Sequence, residues 1–538
     1  MKRIFWAAAA CALASCSFLD TDVYGNLNED NLYQEEKTCM AGLAGIYDKL
    51  GAEGLYGVNL WGNLDAGTDL LVYNRGYGVN DARIDLYNYN NTHSDIERTW
   101  KDLYEGINRA NDYIDLIGSR SESDCGGARN KRMYLAEAKG LRALFYLNLV
   151  AFWGEVPLRL TPARDLSGQQ LARSSQQQIY AQILADLHEA EAGCLPADEL
   201  QAPGRMSQTT AQALLARAYM WQSGYPVGAD TWDEALYWAR EVKNSGLHRL
   251  YPTTADGTNG YRALFIDMCS DRYDLIWRES MFEVEFFGNG VSTNTDEAGM
   301  VGLYLGVMNM CTTDPDVPYA YGWWDGSRIL FRLYEENDAR KWWNFADYTY
   351  TTVGEKAVKT PVNKATKTDG ASGKWRAEYM PVRPWARNNS SINFPIMRYS
   401  DVLLMIAECA NRVNGAPTQE AVDALNEVRQ RAEASTVALS DFADMEAFEE
   451  FVREERAREL CFEVPRHMEL RRCGEEYFYR RIRLLADQSF DENGKLIGYE
   501  LTNNKSLPGL QLDRRHIYLP IPQAELNTNP TCGQNELW

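Results

Sequence analysis

The chain is poor in the residues that most often carry chemistry. Its 538 residues include only five histidines (His93, His188, His248, His467 and His516), too scattered for zinc or haem spacing, and its 11 cysteines form no C-x-x-C pair. No metal and no cofactor is therefore expected. Signatures for serine hydrolysis, phosphate cradling, zinc proteolysis and dinucleotide binding (G-x-S-x-G, G-x-x-x-x-G-K, H-E-x-x-H, and G-x-G-x-x-G at a strand–helix junction) are missing. Positive charge is scarce too. Against 76 Asp and Glu stand 55 Lys and Arg, a formal net charge of −21, which argues against a nucleic-acid partner or an anionic membrane surface. No segment offers 18 consecutive apolar residues, so no membrane-spanning helix is expected.

What is present begins at the N-terminus. Lys2 and Arg3 precede an apolar stretch, Ile4 to Ala14, which is too short to span a bilayer and is closed by Leu13-Ala14-Ser15-Cys16. Residues 1–15 read as a signal peptide, with Cys16 as the acylated lipid anchor of a surface lipoprotein. Acylation of Cys16 would leave nine other cysteines after the signal, an odd number, so at least one thiol stays free; the spacing identifies no disulfide. Cys409 and Cys461 fall in helix-like segments, as small buried hydrophobes do.

Helical periodicity dominates the rest. Ile96, Trp100, Leu103, Ile107, Ala110, Ile114 and Ile117 recur at spacings of four and three, which places them on one helix face, with Ser94 and Glu97 as a capping box and Gly118 at the end. Tyr134, Ala138, Leu141, Phe145, Leu149 and Phe152 form a second such face that stops at Gly154. Further helices are predicted over 174–193, 207–224, 230–246, 400–415, 418–432 and 445–462. Small residues at helix crossings and Gly at the turns give 207–246 and 400–432 a tetratricopeptide-like character. The expected fold is mainly α: a helical-pair scaffold over about 30–50, 94–246 and 396–538, with a little β-strand, interrupted by loop-rich excursions over about 51–93 and 247–395, all in one domain over 16–538. A strand is predicted over 281–287, and 351–374 reads as a polar loop.

The aromatics carry the functional signal. Of 63 aromatic residues, 46 are Trp or Tyr, rings with a polar handle that suit half-wet surfaces. Eleven aromatics fall within 319–350, nearly three times the 12% chain average. Phe331 and Tyr334 read as core, but the run Tyr321-Gly322-Trp323-Trp324-Asp325-Gly326 is an expected loop by its glycines. The first excursion adds Tyr73, Asn74, Arg75 and Tyr77, with Tyr87 and Tyr89 beyond. Sugars present apolar C–H faces and a rim of hydroxyls, so flat rings with Asn, Asp and Arg beside them suit a neutral glycan. Tyr73, Asn74, Arg75, Tyr77, Tyr321, Trp323 and Trp324 are the candidate ligand-binding residues. No catalytic residue is assigned: a glycosidase needs only two suitably spaced carboxylates, and 76 acidic residues single out no pair.

Several motifs in order along the chain resemble the SusD/RagB family of outer-membrane lipoproteins of Bacteroidetes. They are the lipobox with Phe18-Leu19-Asp20; Trp100, Tyr104, Ile107 and Ala110-Asn111; Ala136-Glu137-Ala138-Lys139 with Arg142-Ala143; Asp338-Ala339-Arg340; Pro395 to Leu404; Glu455-Arg456 with Glu459-Leu460; and Leu519-Pro520-Ile521-Pro522. Val464-Pro465 stands where the family usually has Gly before Arg466, and Glu469 replaces the commoner Asp. The resemblance implies four tetratricopeptide-like units. It also implies a non-catalytic protein at the cell surface that captures oligosaccharides and passes them to a SusC-like TonB-dependent transporter. A peptide-binding lid for an oligopeptide transporter and a surface glycosidase are the alternatives. The resemblance carries no ligand-binding residue across.

Overall fold

In the computed structural model of the chain, the described residues are 32–74, 82–164, 170–287, 299–488 and 507–538. The fold is mainly helical. Helices α1 (Glu36–Leu50), α2 (Ser94–Ser119), α3 (Ala128–Trp153), α4 (Gln176–Gly193), α5 (Gln208–Ser223) and α6 (Trp232–Asn244) pack each against the next in chain order. The array then skips about 150 residues and resumes. Helix α7 (Tyr399–Asn414) lies directly on α6 and is followed by α8 (Gln419–Arg431) and α9 (Met445–Leu460), both packed against it. The second excursion is thus looped out of a continuous stack of tetratricopeptide-like pairs. No helix among the described residues is long and apolar enough to cross a membrane.

Local chemistry explains the elements. Helix α3 is buried on almost every side from Met133 to Trp153, as a helix enclosed by neighbours must be. Gly106 of α2 lies so close to the Phe145 ring of α3 that a Cβ there would sit 2.5 Å from it, so glycine sets the approach of these two helices. The start of α2 differs from expectation. The cap is His93, whose Nδ1 accepts from the Asp95 amide at 3.3 Å, and Ser94 already belongs to the first turn. Gly154, at φ +73°, ends α3 with its Cα beside the Tyr518 ring.

The strands lie mostly in the second excursion. A small sheet has the order β1 (Leu71–Tyr73), β3 (Trp324–Gly326), β6 (Gly370–Ala371), all antiparallel. Strand β2 (Ser280–Val284) pairs with β7 (Phe394–Arg398), which leads into α7. The stretch read as a polar loop instead contains a hairpin, β4 (Tyr348–Val353) and β5 (Lys356–Pro361), turned at Gly354, φ +63°. Its alternating Thr, Tyr and Val residues suit a strand, which the Gly, Thr and Lys content of the wider segment obscures.

Buried ion pairs fasten both excursions to the helices. Asp69 accepts from Arg466 at 2.9 Å and from Arg481 at 2.8 Å. Arg398, fully buried at the end of β7, reaches Glu279 at 2.8 Å, Glu459 of α9 at 3.0 Å and Glu463 at 2.6 Å. Arg340 joins the same cluster through Glu455 at 2.7 Å and Glu459 at 3.0 Å. A buried charge is tolerated only when paired in this way.

Candidate functional site

The pairing of β1 with β3 brings the two excursions together. Tyr73 stands directly opposite Trp324, ring centroids 4.8 Å apart and planes at 63°. One residue further, the Asn74 amide donates to the Trp323 carbonyl at 2.7 Å, and Asn74 Nδ2 donates to the Gly322 carbonyl at 3.1 Å. Asn74, expected to meet a ligand, therefore holds the two segments in register. Trp324 lies in a strand and not in a loop, and is only 2% exposed.

Beside this pair is a cleft of about 530 Å³. Tyr73, Trp323 and Trp324 form its aromatic side, and Arg83, Ile84 and Asp85 form another. The rest of its lining comes from the start of α2, with His93 and Asp95, and from Asn63. The Arg83 guanidinium lies 3.7 Å above the Tyr73 ring and donates through Nε to Asp85 Oδ1 at 2.7 Å. Burial lowers the pKa of His93, against the pull of Asp95, and an Nδ1 that accepts a backbone N–H leaves the ring proton on Nε2.

Outside the cleft the rings continue. Trp323 is half-buried and stacks on Tyr304 at 4.0 Å with planes 20° apart; Tyr321 lies 5.1 Å from Trp323. Tyr321 Oη donates to Asn388 Oδ1 at 2.7 Å and accepts from Arg387 Nε at 3.0 Å. The result is an arc of rings from Tyr73 through Trp323 and Tyr304 to Tyr321, edged by Arg, Asn and Asp groups.

Of the seven residues chosen from sequence, Tyr73, Asn74, Tyr321, Trp323 and Trp324 thus cluster, although about 250 residues separate the two groups. Arg75, Tyr77 and Cys16 lie outside the described residues. Tyr87 and Tyr89 are buried: Tyr87 Oη donates to the Gly67 carbonyl at 2.9 Å, and Tyr89 stacks against Trp538 at 5.2 Å. Sequence reasoning missed Asn63, Arg83, Asp85, His93, Asp95 and Tyr304. None sits in a motif, and only their place in or beside the two excursions hinted at them.

The fold defines the class: a mainly helical chain of tetratricopeptide-like pairs carrying long inserted excursions. Comparison with known proteins places it further. A family model described as "SusD family" matches residues 318–538, and one described as "Starch-binding associating with outer membrane" matches 18–220. The SusD-like protein P25 of Formosa agariphila is 25% identical, covering 97% of this chain and 95% of its own length. A crystal structure of a SusD homolog from Bacteroides thetaiotaomicron superposes with a TM-score of 0.81 at 25% identity, covering 96% of this chain and 99% of that one. Surface glycan-binding protein A from Bacteroides thetaiotaomicron shares the fold, with a TM-score of 0.69 at 20% identity over 94% of this chain and 100% of its own. The chain belongs to the SusD/RagB family.

Proposed function

We propose that this protein is a cell-surface lipoprotein of the outer membrane, anchored through acylated Cys16, that binds oligosaccharides and delivers them to a SusC-like TonB-dependent transporter. The observation that carries the glycan reading is the cleft. Its lining combines the rings of Tyr73, Trp323 and Trp324 with the polar groups of Asn63, Arg83, Asp85, His93 and Asp95, the combination that a sugar's apolar faces and hydroxyl rim require. The family supports the reading, as does the name of the surface glycan-binding relative. Membrane attachment is supported by the family description and by the Leu13-Ala14-Ser15-Cys16 box. Affinity comes from stacking and hydrogen bonds, without bond breaking.

Isothermal titration of the purified protein against a glycan panel tests the binding. Micromolar affinity for at least one oligosaccharide is expected, with no reducing ends released; binding only to peptides, or release of sugar, rejects it. Delivery is tested separately, by co-purification of a TonB-dependent barrel with the protein extracted from its native membrane. Mass spectrometry identifies the Cys16 modification in the same sample.

A further inference from the structure

Two residues that line the cleft each carry a buried polar atom with no hydrogen-bond partner among the described residues. Trp324 and Asp85 both line it and are 2% and 3% exposed. Trp324 Nε1 and Asp85 Oδ2 are buried and have no hydrogen-bond partner among the described residues. One is a donor only and the other an acceptor only. The second carboxylate oxygen, Oδ1, is already held by Arg83 Nε at 2.7 Å, so Arg83 fixes the orientation of Asp85. Buried groups left unpaired are costly and rare, and two of opposite character at one cleft point to a ligand that completes them.

Resting on the glycan reading above, we infer that Trp324 and Asp85 are specificity-determining residues that select a sugar ring with free hydroxyls in this cleft, against uronates, sulfate esters and O-alkylated rings. A hydroxyl is the sugar substituent that both accepts from an indole N–H and donates to a carboxylate. A carboxylate or sulfate ester accepts only; it leaves Asp85 Oδ2 unpaired and brings an anion towards Asp85 and Asp95. A protonated amine donates only, and leaves Trp324 Nε1 unpaired. His93 extends the logic at the cleft edge: with Nδ1 occupied by the Asp95 amide, the neutral ring presents a donor at Nε2. Sites built to hydrogen-bond a hydroxyl discriminate strongly against analogues lacking it.

The test is titration of the full chain with maltoheptaose, laminarihexaose, cellohexaose and mannohexaose, beside oligogalacturonate and a sulfated galactan oligosaccharide. At least one neutral oligosaccharide is expected to bind, with the charged ones about tenfold weaker or worse. The Trp324→Phe variant keeps a ring and removes the N–H; it is expected to weaken that neutral ligand about fivefold to tenfold. Its unfolding temperature should hold, because Trp324 Nε1 has no hydrogen bond to lose among the described residues. A ligand-side arm needs no variant: the O-methylated form of the same oligosaccharide should bind wild type at least about tenfold more weakly. Charged oligosaccharides that bind as tightly as neutral ones, or O-methylation without effect, overturn the inference and leave the glycan reading standing. If none of the six binds, the glycan reading fails and takes the inference with it.

Discussion

Trp323 lies flat on Tyr304, their ring centroids 4.0 Å apart and their planes 20° from parallel. Tyr304 therefore backs the half-buried indole and holds its orientation before any ligand arrives, so less side-chain freedom is lost on binding.

Trp323→Ala is expected to weaken oligosaccharide binding about tenfold or more, since an aromatic stack contributes about 0.5–1.5 kcal/mol beyond the apolar area it covers. Tyr304→Ala should cost less, about threefold, because it acts through the orientation of Trp323. Titration with the tightest-binding neutral oligosaccharide gives both values, and circular dichroism checks that the helical content is kept. Equal affinity in Trp323→Ala and wild type would remove Trp323 from the site.

The two kinds of Arg–Glu pair in this chain should differ sharply. Arg398 is fully buried among Glu279, Glu459 and Glu463, and Arg398→Ala leaves three buried carboxylates short of a partner. The loss should be about 3–5 kcal/mol. Arg240, 44% exposed in its side chain, pairs with the equally exposed Glu420 at 2.6 Å; Arg240→Ala should cost under about 1 kcal/mol. Urea unfolding of both variants measures the contrast.

Acid should unfold the protein in a defined window. Burial raises the carboxyl pKa of Asp69 and Glu455, but the charges of Arg466 and Arg481 on the first, and of Arg340, Arg458 and Arg429 on the second, outweigh it and hold both at about 2. Glu459 is depressed further, with burial outweighed by Arg431, Arg398 and Arg340. Folded values below the unfolded ones mean that this stability is fully present above about pH 4.5 and is lost as pH falls towards 2. Thermal unfolding between pH 6 and pH 2.5 should show a steep decline below about pH 4.5. A flat profile would contradict the pairing.

Glu283 should behave in the opposite way. Complete burial raises its pKa to about 7, with Glu285 and Asp271 adding to the rise while the hydrogen bond donated by Asn393 works against it. A raised folded value contributes stability below the unfolded value of about 4.5, and that contribution is lost as pH climbs through 7. Glu283→Gln keeps the shape and removes the ionisation, so its melting temperature should exceed that of wild type at pH 8 and match it at pH 5. A variant less stable than wild type at pH 8 would show that the charged form is accommodated.

Much of the scaffold was legible because helices are local. The period of Ile96, Trp100, Leu103 and Ile107 named the buried face of α2, and Ser175, Ser207 and Thr418 each stand at an observed helix N-cap. The His93 cap was misread because a neutral imidazole is an unusual acceptor in that position. The β4–β5 hairpin was missed because composition, averaged over a window, hides the alternation of short strands. At the site, the rings were visible as an excess, but Tyr73, Tyr87 and Tyr89 look the same in sequence and all three are buried; of them only Tyr73 lines the cleft.

By itself the sequence determined that the chain would be an acidic, mainly helical scaffold with two aromatic-rich excursions, because helical period, capping and composition act over a few residues. Only the tertiary structure decided which aromatics share a cleft. The pairing of Tyr73 with Trp324 closes a loop of about 250 residues, and buried ion pairs such as Asp69 with Arg466 hold the first excursion in place. Such contacts join residues about 250 to 400 positions apart, so no local pattern encodes them.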